Sequence, residues 1–473
     1  MYHILIMLFV LTFSSYNVIM QLIIPQFKEK RQMKIVFYNA ASLELPAGKR
    51  DAVGFFPSKA EDWNSLAEQY PQHEFVLVTS LPSSYLIDGA QAGEKPKLAD
   101  KIKYVFIDDE HNSPDDIARL IENQSPEIAV AISTPGMPID WNFLKDAVVG
   151  EKLREAGIKV VAHTVLSAIS FYDKWRSQIA LRSFGFDYAK GIYINISQFR
   201  IEQSIPNCKN NIYKEYVLHR VRQFNYPVII KDTTGAGSSG IQVANDFEQA
   251  KGIITSDKIT SDLIVEEMIQ GESFGTEIHG VVGHYHVLPP ISISTNENGI
   301  SVPNKDSVKF GPVTADKYNI PQLQESLRFL AESFYFAGSA QVDLVFRDGK
   351  WYIIEINPRW SGMTAVTAAM EGRNPLDIYA ESALIGEKDY SEWENLKYVL
   401  FFKVSATDDE TLEKLAERKH VKSIMATTYT DVVIGGFDTK EDMLKELDEI
   451  NAEFPGIISE TAIKNAHQLA ANG

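Results

Sequence analysis

The stretch Gln341-Val342-Asp343-Leu344-Val345-Phe346 is followed, across Arg347-Asp348-Gly349-Lys350, by Trp351-Tyr352-Ile353-Ile354-Glu355-Ile356-Asn357-Pro358-Arg359. Two runs rich in β-branched and aromatic residues flank an Asp-Gly turn signal, which predicts a β-hairpin. Strand alternation places Val342, Leu344 and Phe346 on one face and Asp343 on the other. In the second strand Ile353, Glu355 and Asn357 share a face, with Ile354 and Ile356 opposite. Carboxylate and amide oxygens therefore interrupt two apolar strands, and buried charge is costly unless it is paired or holds a cation. Ligation by a few carboxylates, with phosphate completing the shell, is the habit of Mg²⁺. The competing reading is a surface hairpin whose solvated face carries ordinary charges.

The register of the hairpin is checkable. A tight two-residue turn at Asp348-Gly349 sets Asp343 opposite Ile354, on the wrong face from Glu355. A loop with an odd number of residues, with Gly349 left-handed, sets Asp343 directly across from Glu355. We expect the odd loop.

A chain of 473 residues forms several domains around more than one core. Its hydrophobic fraction of 45% is that of an ordinary globular protein, and its net charge of −17 argues against nucleic acid or an anionic membrane as main partner. Cys208 is the only cysteine, which excludes internal disulfides and cysteine-cluster metal sites and fits a reducing cytosol. The first 32 residues are set apart by two apolar runs, Tyr2 to Phe13 and onward to Ile24, followed by Lys28, Lys30 and Arg31. They lack the basic start and cleavage site of a signal peptide, and polar residues interrupt them as a membrane helix. We read Met33 as the natural initiator, with a membrane anchor as the alternative, and leave residues 1–32 out of the fold.

From Met33, strand-like runs at 34–38, 74–79, 104–107, 127–133 and 159–163 alternate with helical patterns such as 115–121 and 146–156. This alternation predicts a parallel, Rossmann-like N-terminal domain over residues 33–165. No glycine fingerprint follows the first strand, so nothing there points to a dinucleotide. Helices are then expected at 173–184 and 215–223, and a strand at 188–196. Further on, Tyr226-Pro227-Val228-Ile229-Ile230-Lys231 leads through Asp232-Thr233-Thr234 into Gly235-Ala236-Gly237-Ser238-Ser239-Gly240. The hexapeptide matches G-x-G-x-x-G, yet Ile241-Gln242-Val243-Ala244 reads as a second strand rather than the helix that the dinucleotide fingerprint requires. A glycine-rich loop between antiparallel strands is a flap whose N–H groups fold over phosphates. Lys231 supplies a point cation beside it. The bland alternative is a hairpin tip of small residues.

A strand ending in acids, Leu263-Ile264-Val265-Glu266-Glu267-Met268-Ile269, precedes the turn Gln270-Gly271-Glu272. A strand pair follows at 273–282 and 284–288, and a helix at 322–337 leads into the hairpin. Helices are expected at 361–371 and 375–384. The remaining elements, 398–406, 410–418, 423–428, 431–436 and 439–451, outline a small α+β domain.

In this order the motifs Asp173-Lys174, the 226–240 flap, Val265 to Ile269 and Asp343…Glu355-Ile356-Asn357-Pro358-Arg359 resemble the ATP-grasp superfamily. The likeness runs over about residues 33 to 460, closest to the amino-acid and peptide ligases, with biotin carboxylase behind. The resemblance implies an α/β and α+β multidomain chain. It would have a Rossmann-like pre-ATP-grasp domain, a two-lobed ATP-grasp core over 166–390 with its small lobe at about 190–270 and flap at 231–240, and a C-terminal α+β domain over 391–473. It implies ATP with one or two Mg²⁺ or Mn²⁺ ions, and a carboxylate and an amine joined through an acyl phosphate with release of ADP. It also implies a cytoplasmic enzyme, compatible with a homodimer.

Carried over by position, the resemblance gives Lys174 and Lys231 the α- and β-phosphates. Gly235, Gly237 and Ser238 would cover the triphosphate. Glu266, Glu267 and Ile269 lie in the strand that reads adenine through backbone, and Glu272 or Glu277 holds the ribose. Asp343, Glu355 and Asn357 hold the metal. Arg359 steadies the acyl phosphate, with a hairpin-end ion pair as its plain alternative. Ser361 and Gly362, at an expected helix start, offer N–H groups to an anion. Asp232-Thr233-Thr234 departs from the small residues common at the flap.

His279, His284 and His286 lack zinc spacing and are read as strand residues. Loops such as 289–312 are expected to read the substrate side chain. A bicarbonate-activating carboxylase and a nucleotide-binding protein without catalysis compete with the ligase reading; no biotin-attachment motif is present.

Overall fold

Residues 32–40, 55–80, 87, 97–134, 141–205, 210–234, 240–301, 304–384, 395–405, 408–425 and 430–473 are described by a computed structural model of the chain. The apolar segment 1–31 and the flap residues Gly235, Gly237 and Ser238 lie outside the described residues.

The N-terminal unit begins with strand β1 (Lys34–Tyr38), helix α1 (Lys59–Gln69) and strands β2 (Glu74–Ser80) and β3 (Lys103–Ile107). Helix α2 (Pro114–Glu122), β4 (Ile128–Ala131), α3 (Asn142–Glu155) and β5 (Lys159–Val161) follow. The five strands are parallel in the order β3-β2-β1-β4-β5, the doubly wound arrangement expected from the alternation. Both faces are buried because β1 alternates: Ile35 and Phe37 look toward Trp63 and Leu66 of α1. Val36 and Tyr38 look toward α2 and α3. Each fully buried side chain of this kind contributes roughly 1.5–3 kcal/mol. Helix α1 starts where Ser58 and Glu61 form a reciprocal capping box.

After α4 (Val165–Tyr172) and α5 (Lys174–Ser183), a four-stranded antiparallel sheet follows. It is built from β6 (Gly191–Ile194), β7 (Val228–Asp232), β8 (Gln242–Ala244) and β9 (Leu263–Glu267) in the order β6-β9-β7-β8. Helices α6 (Ile212–Arg222) and α7 (Phe247–Thr255) pack on it around Val217, Val221, Ala250 and Ile254. The strand that replaces the Rossmann helix after the glycine-rich loop is therefore present as β8.

A ten-stranded antiparallel sheet carries the rest. Its strands include β10 (Glu272–Val281), β11 (His284–Val287), β12 (Ile291–Ile293) and β13 (Lys309–Gly311), then, after α8 (Ile320–Phe334), β14 (Gly338–Arg347) and β15 (Lys350–Asn357). Helices α9 (Thr364–Glu371) and α10 (Pro375–Ala383) come next. The chain closes with β16 (Tyr398–Val404), α11 (Asp409–Ala416), β17 (Val421–Met425), β18 (Thr430–Phe437), α12 (Lys440–Glu453) and α13 (Glu460–Asn472). The order β15-β14-β10-β12-β13-β16-β18-β17 ends on the short Phe55–Phe56 strand. The first C-terminal strand, β16, pairs with β13 and continues the central sheet. One expectation changes here. The segment 289–312, expected as loop, contributes β12 and β13 to that sheet.

Candidate functional site

The hairpin of β14 and β15 closes on a two-residue turn, with Arg347 paired to Lys350 and both Asp348 (φ 52°) and Gly349 (φ 75°) left-handed. This is the geometry that matches strand twist, and it corrects the odd-length loop. Asp343 nevertheless faces Glu355, because the register shifts by one residue between Leu344, opposite Ile353, and Asp343. Ile354 is the extra residue of a β-bulge. The bulge also corrects the face assignment: Ile353 and Ile356 both enter the core that holds Val342 and Leu344. Glu355 is turned to the opposite face from Ile353.

Around this pair the structure gathers cations. Asp173 caps α5 by accepting the Arg176 N–H at 2.9 Å, which makes Lys174 the first residue of the helix. The Lys174 backbone N–H donates to the Thr233 carbonyl at 2.8 Å, and its Nζ reaches Glu355 Oε1 at 2.8 Å. Lys231, buried at the end of β7, has its Nζ 2.6 Å from Glu266 Oε1. Burial works against the Lys231 charge, but Glu266 and then Glu355 raise its pKa on balance. Burial likewise pushes Glu355 up, and Lys174 and Lys231 outweigh it, so its carboxyl lies below the usual range. Asp343 goes the other way: burial first, then the facing Glu355, lift it to about 6. Gln341 Nε2 donates to Asp343 Oδ1 at 2.7 Å. Asn357 lies opposite Gln341 and accepts from Arg359 Nη2 at 3.2 Å, while Arg359 Nη1 donates to the Trp360 carbonyl.

Among the described residues no three His, Cys, Asp or Glu side chains stand together as a metal cage. Two facing carboxylates, one of them pushed up by the other, fit an ion that takes the rest of its shell from phosphate and water.

Between the two antiparallel sheets runs the short link from Glu267 to Glu272. Glu267 N–H donates to the Lys190 carbonyl and Met268 N–H to that of Pro227, so β9 and its continuation are held by backbone. The Glu266 side chain is spent on Lys231 and on Gln178, and Glu267 accepts from Asn225. Ile269 lies half-buried in the link. Glu272 is exposed at the start of β10, where it meets Tyr318 Oη at 2.7 Å and Lys317. Glu277 is fully buried and accepts from Ser361 Oγ (3.0 Å), Thr364 Oγ1 (2.8 Å), Thr367 Oγ1 (2.8 Å) and His279 Nε2 (2.9 Å). A carboxylate satisfied by four donors of its own chain has no capacity left for a further donor, whereas Glu272 is exposed.

The 361–364 turn differs from expectation. Helix α9 starts at Thr364, and the Ser361 N–H is taken by Thr364 Oγ1 at 3.1 Å. The turn lies close against β10 because Gly275, opposite Asp343, carries no side chain; a Cβ there would meet Met363 Sδ at 2.5 Å. His279 and His286 face each other on β10 and β11.

Lys309 was not anticipated. It lies on β13 with its Nζ 4.6 Å from the centre of the Phe401 ring, and burial lowers its pKa. Among the described residues it has no ion pair, yet it bears on Asp343 and would lie 3.8 Å from a Cβ at Gly362. Its signal was a lone lysine between Val308 and Phe310 in a stretch taken for loop.

Residues 197–363 match the ATP-grasp domain family. The large chain of carbamoyl phosphate synthase from Sulfolobus acidocaldarius is 27% identical over 194 residues, 39% of this chain and 17% of that protein. The chain spans half or less of the length of the first curated relatives it matches. An L-amino acid ligase from Bacillus licheniformis superposes with a TM-score of 0.62 at 14% identity, covering 90% of this chain and 98% of that one. The biotin carboxylase domain of the Hydrogenobacter thermophilus 2-oxoglutarate carboxylase, in complex with MgADP and bicarbonate, gives 0.57 at 14% identity, with 90% of each chain covered. The chain thus carries an ATP-grasp domain in a fold shared with multidomain ligases.

Proposed function

We propose that the protein is an ATP-dependent carboxylate–amine ligase that works through an acyl phosphate and releases ADP and phosphate. The observation that supports it most is Asp343 facing Glu355 beside Lys174, with Arg359 beyond Asn357. Asp343, Glu355 and Asn357 would hold Mg²⁺, which when bound would supply positive charge to offset that of the phosphates. Lys174 and Lys231 are the fixed cations for the phosphates, released to them from Glu355 and Glu266. The 231–240 flap covers them, the 266–269 backbone holds the adenine, and Glu272 holds the ribose. Arg359, planar and always charged, steadies the oxygens of the acyl phosphate and of the adduct formed with the amine.

The likeness to an L-amino acid ligase along nearly its whole length favours the amine as nucleophile. The domain limits at residues 33, 166 and 391 and a cytoplasmic site of action belong to the same reading. Among the described residues no helix is long and apolar enough to cross a membrane.

The test is a screen of carboxylic acids and amines for phosphate release, with hydroxylamine as a trap. Hydroxamate that forms only with a carboxylic acid supports the acyl phosphate. Phosphate release that answers to bicarbonate alone overturns the ligase reading in favour of a carboxylase.

A further inference from the structure

A cavity of about 350 Å³ opens where α1, the 360–365 segment and strands β16, β17 and β18 meet. Its size is at the low end of small-molecule sites, which run to about 1,000 Å³, so it holds one small molecule. One wall is apolar: Ala365 of α9, Phe401 of β16, Met425 of β17 and Val433 of β18. Phe401 pairs with Lys309, whose ammonium rests on its ring, so this wall runs on toward the lysine that bears on Asp343. Another wall is Trp360, whose ring stacks on Tyr379 at 5.6 Å and 9° between ring planes and whose backbone N–H donates to the Ser133 carbonyl. The cavity is thus held in shape by buried groups, at the mouth of the turn that follows Arg359.

Most charges that border the cavity are matched inside the protein; Lys422, which also lines it, donates to the Lys419 carbonyl at 3.1 Å and has no ion pair among the described residues. Lys59 pairs with Asp62 at 2.6 Å, Asp431 with Lys403, and Arg373 with Glu381. A doubly charged phosphate ester needs more than one uncommitted cation, and Lys422 is the one that this lining offers among the described residues. Bicarbonate has no apolar part and would leave the wall of Ala365, Phe401, Met425 and Val433 bare. An amino acid brings a single carboxylate, which Lys422 can meet, and an apolar side chain gains from the apolar wall about 25 cal/mol for each Å² removed from water.

We infer that this cavity binds an amino acid with an apolar side chain as a substrate of the ligase reaction. The inference rests on the ligase reading for its turnover arm only, since binding is measured separately. Calorimetry on the full chain with L-leucine, L-phenylalanine, L-aspartate, ribose 5-phosphate and bicarbonate as probes is expected to show leucine or phenylalanine binding at least about tenfold tighter than the other three. Filling the cavity by Ala365→Phe is expected to weaken that binding by about tenfold, the effect of roughly 1.4 kcal/mol, and to raise the KM for the amino acid with the KM for ATP unchanged. Met425→Lys, on β17, puts a charge in the same wall and is the second variant should the first not fold. Equal or tighter binding of aspartate, ribose 5-phosphate or bicarbonate, or leucine binding that neither variant moves, overturns the inference. Leucine binding that the variants weaken, without phosphate release for any acid, upholds the cavity and overturns the ligase reading instead.

Discussion

Lys174 Nζ stands 2.8 Å from Glu355 Oε1, so the carboxylate that faces Asp343 already has a cation supplied by the first residue of α5. Glu355 is thereby kept ionised despite its burial, as the proposed metal site requires. Glu355→Gln keeps the size of the side chain and removes the charge. Loss of one anionic ligand removes several kcal/mol of charge stabilisation in phosphoryl transfer, so ATP turnover is expected to fall by about 100-fold or more. Lys174→Ala is expected to lower turnover as well and to raise the pKa of Glu355, moving the acid limb of the pH–rate profile upward. Steady-state phosphate release across pH measures both; a Glu355→Gln enzyme with full turnover would remove Glu355 from the proposed metal site.

Asp343 connects activity and stability in opposite senses. Its pKa in the folded protein is about 6, against an ordinary 3.8. The folded state therefore binds the extra proton between these values, and the ionised carboxyl weakens the fold at every pH above about 6. Without metal, Asp343→Asn is expected to raise the thermal midpoint at pH 7.5, with the gain shrinking as pH falls toward 4. The same variant loses turnover, and in the unmodified protein the Mg²⁺ requirement is expected to rise as pH drops through about 6. Scanning calorimetry and Mg²⁺ titration check the two halves. A midpoint for Asp343→Asn below that of the parent at pH 7.5 would sink the claim of a strained carboxylate.

Much of this site was legible because its chemistry depends on residue type and order. Acids in apolar strands, a lysine closing a strand, and glycines between two strands stand out in any window of sequence. The path by which Asp343 meets Glu355 was not legible. A bulge at Ile354 uses an ordinary isoleucine, and its only trace is that Ile353 and Ile356 are both apolar, which alternation alone forbids for one face. The role of Glu277 was hidden for a related reason. Its partners Ser361, Thr364 and Thr367 lie more than 80 residues away, and local spacing cannot bring them together. The continuity of β13 with β16 was missed because short strands inside a long stretch rich in turn residues read as loop.

Glu272 and Glu277 separate cleanly by experiment. Glu272→Ala removes an exposed carboxylate and is expected to change stability by less than about 0.5 kcal/mol. The hydrogen bond it would make to a ribose is one to a charged group, worth about 1.5–3 kcal/mol, so the KM for ATP is expected to rise about tenfold or more. Glu277→Ala strands three hydroxyls and His279 in the interior, and breaking such a buried charged network costs about 3–5 kcal/mol. A soluble, well-folded Glu277→Ala protein whose only defect is a raised KM for ATP would restore Glu277 to the ribose.

The last expectation concerns acid. His163, buried at the end of β5 against Phe336, accepts the Ala337 N–H on Nδ1, so its proton sits on Nε2 and is given to the Ser339 carbonyl. Burial, with Arg154 adding to it, holds the imidazole neutral and lowers its pKa to about 4. The unfolded chain, at an ordinary 6.5, takes up the proton first as pH falls. Stability is therefore lost through the window from about 6.5 down to about 4, and the full effect of this single group is roughly 3 kcal/mol. Histidine 163 ties the N-terminal sheet to β14, the strand that carries Asp343, so acid is expected to loosen that junction. Urea unfolding of the parent and of His163→Gln from pH 7.5 to 4.5 isolates the contribution. The stability gap between the two is expected to narrow steadily below pH 6.5, and a gap that stays constant with pH would show that the imidazole is not held neutral by the fold.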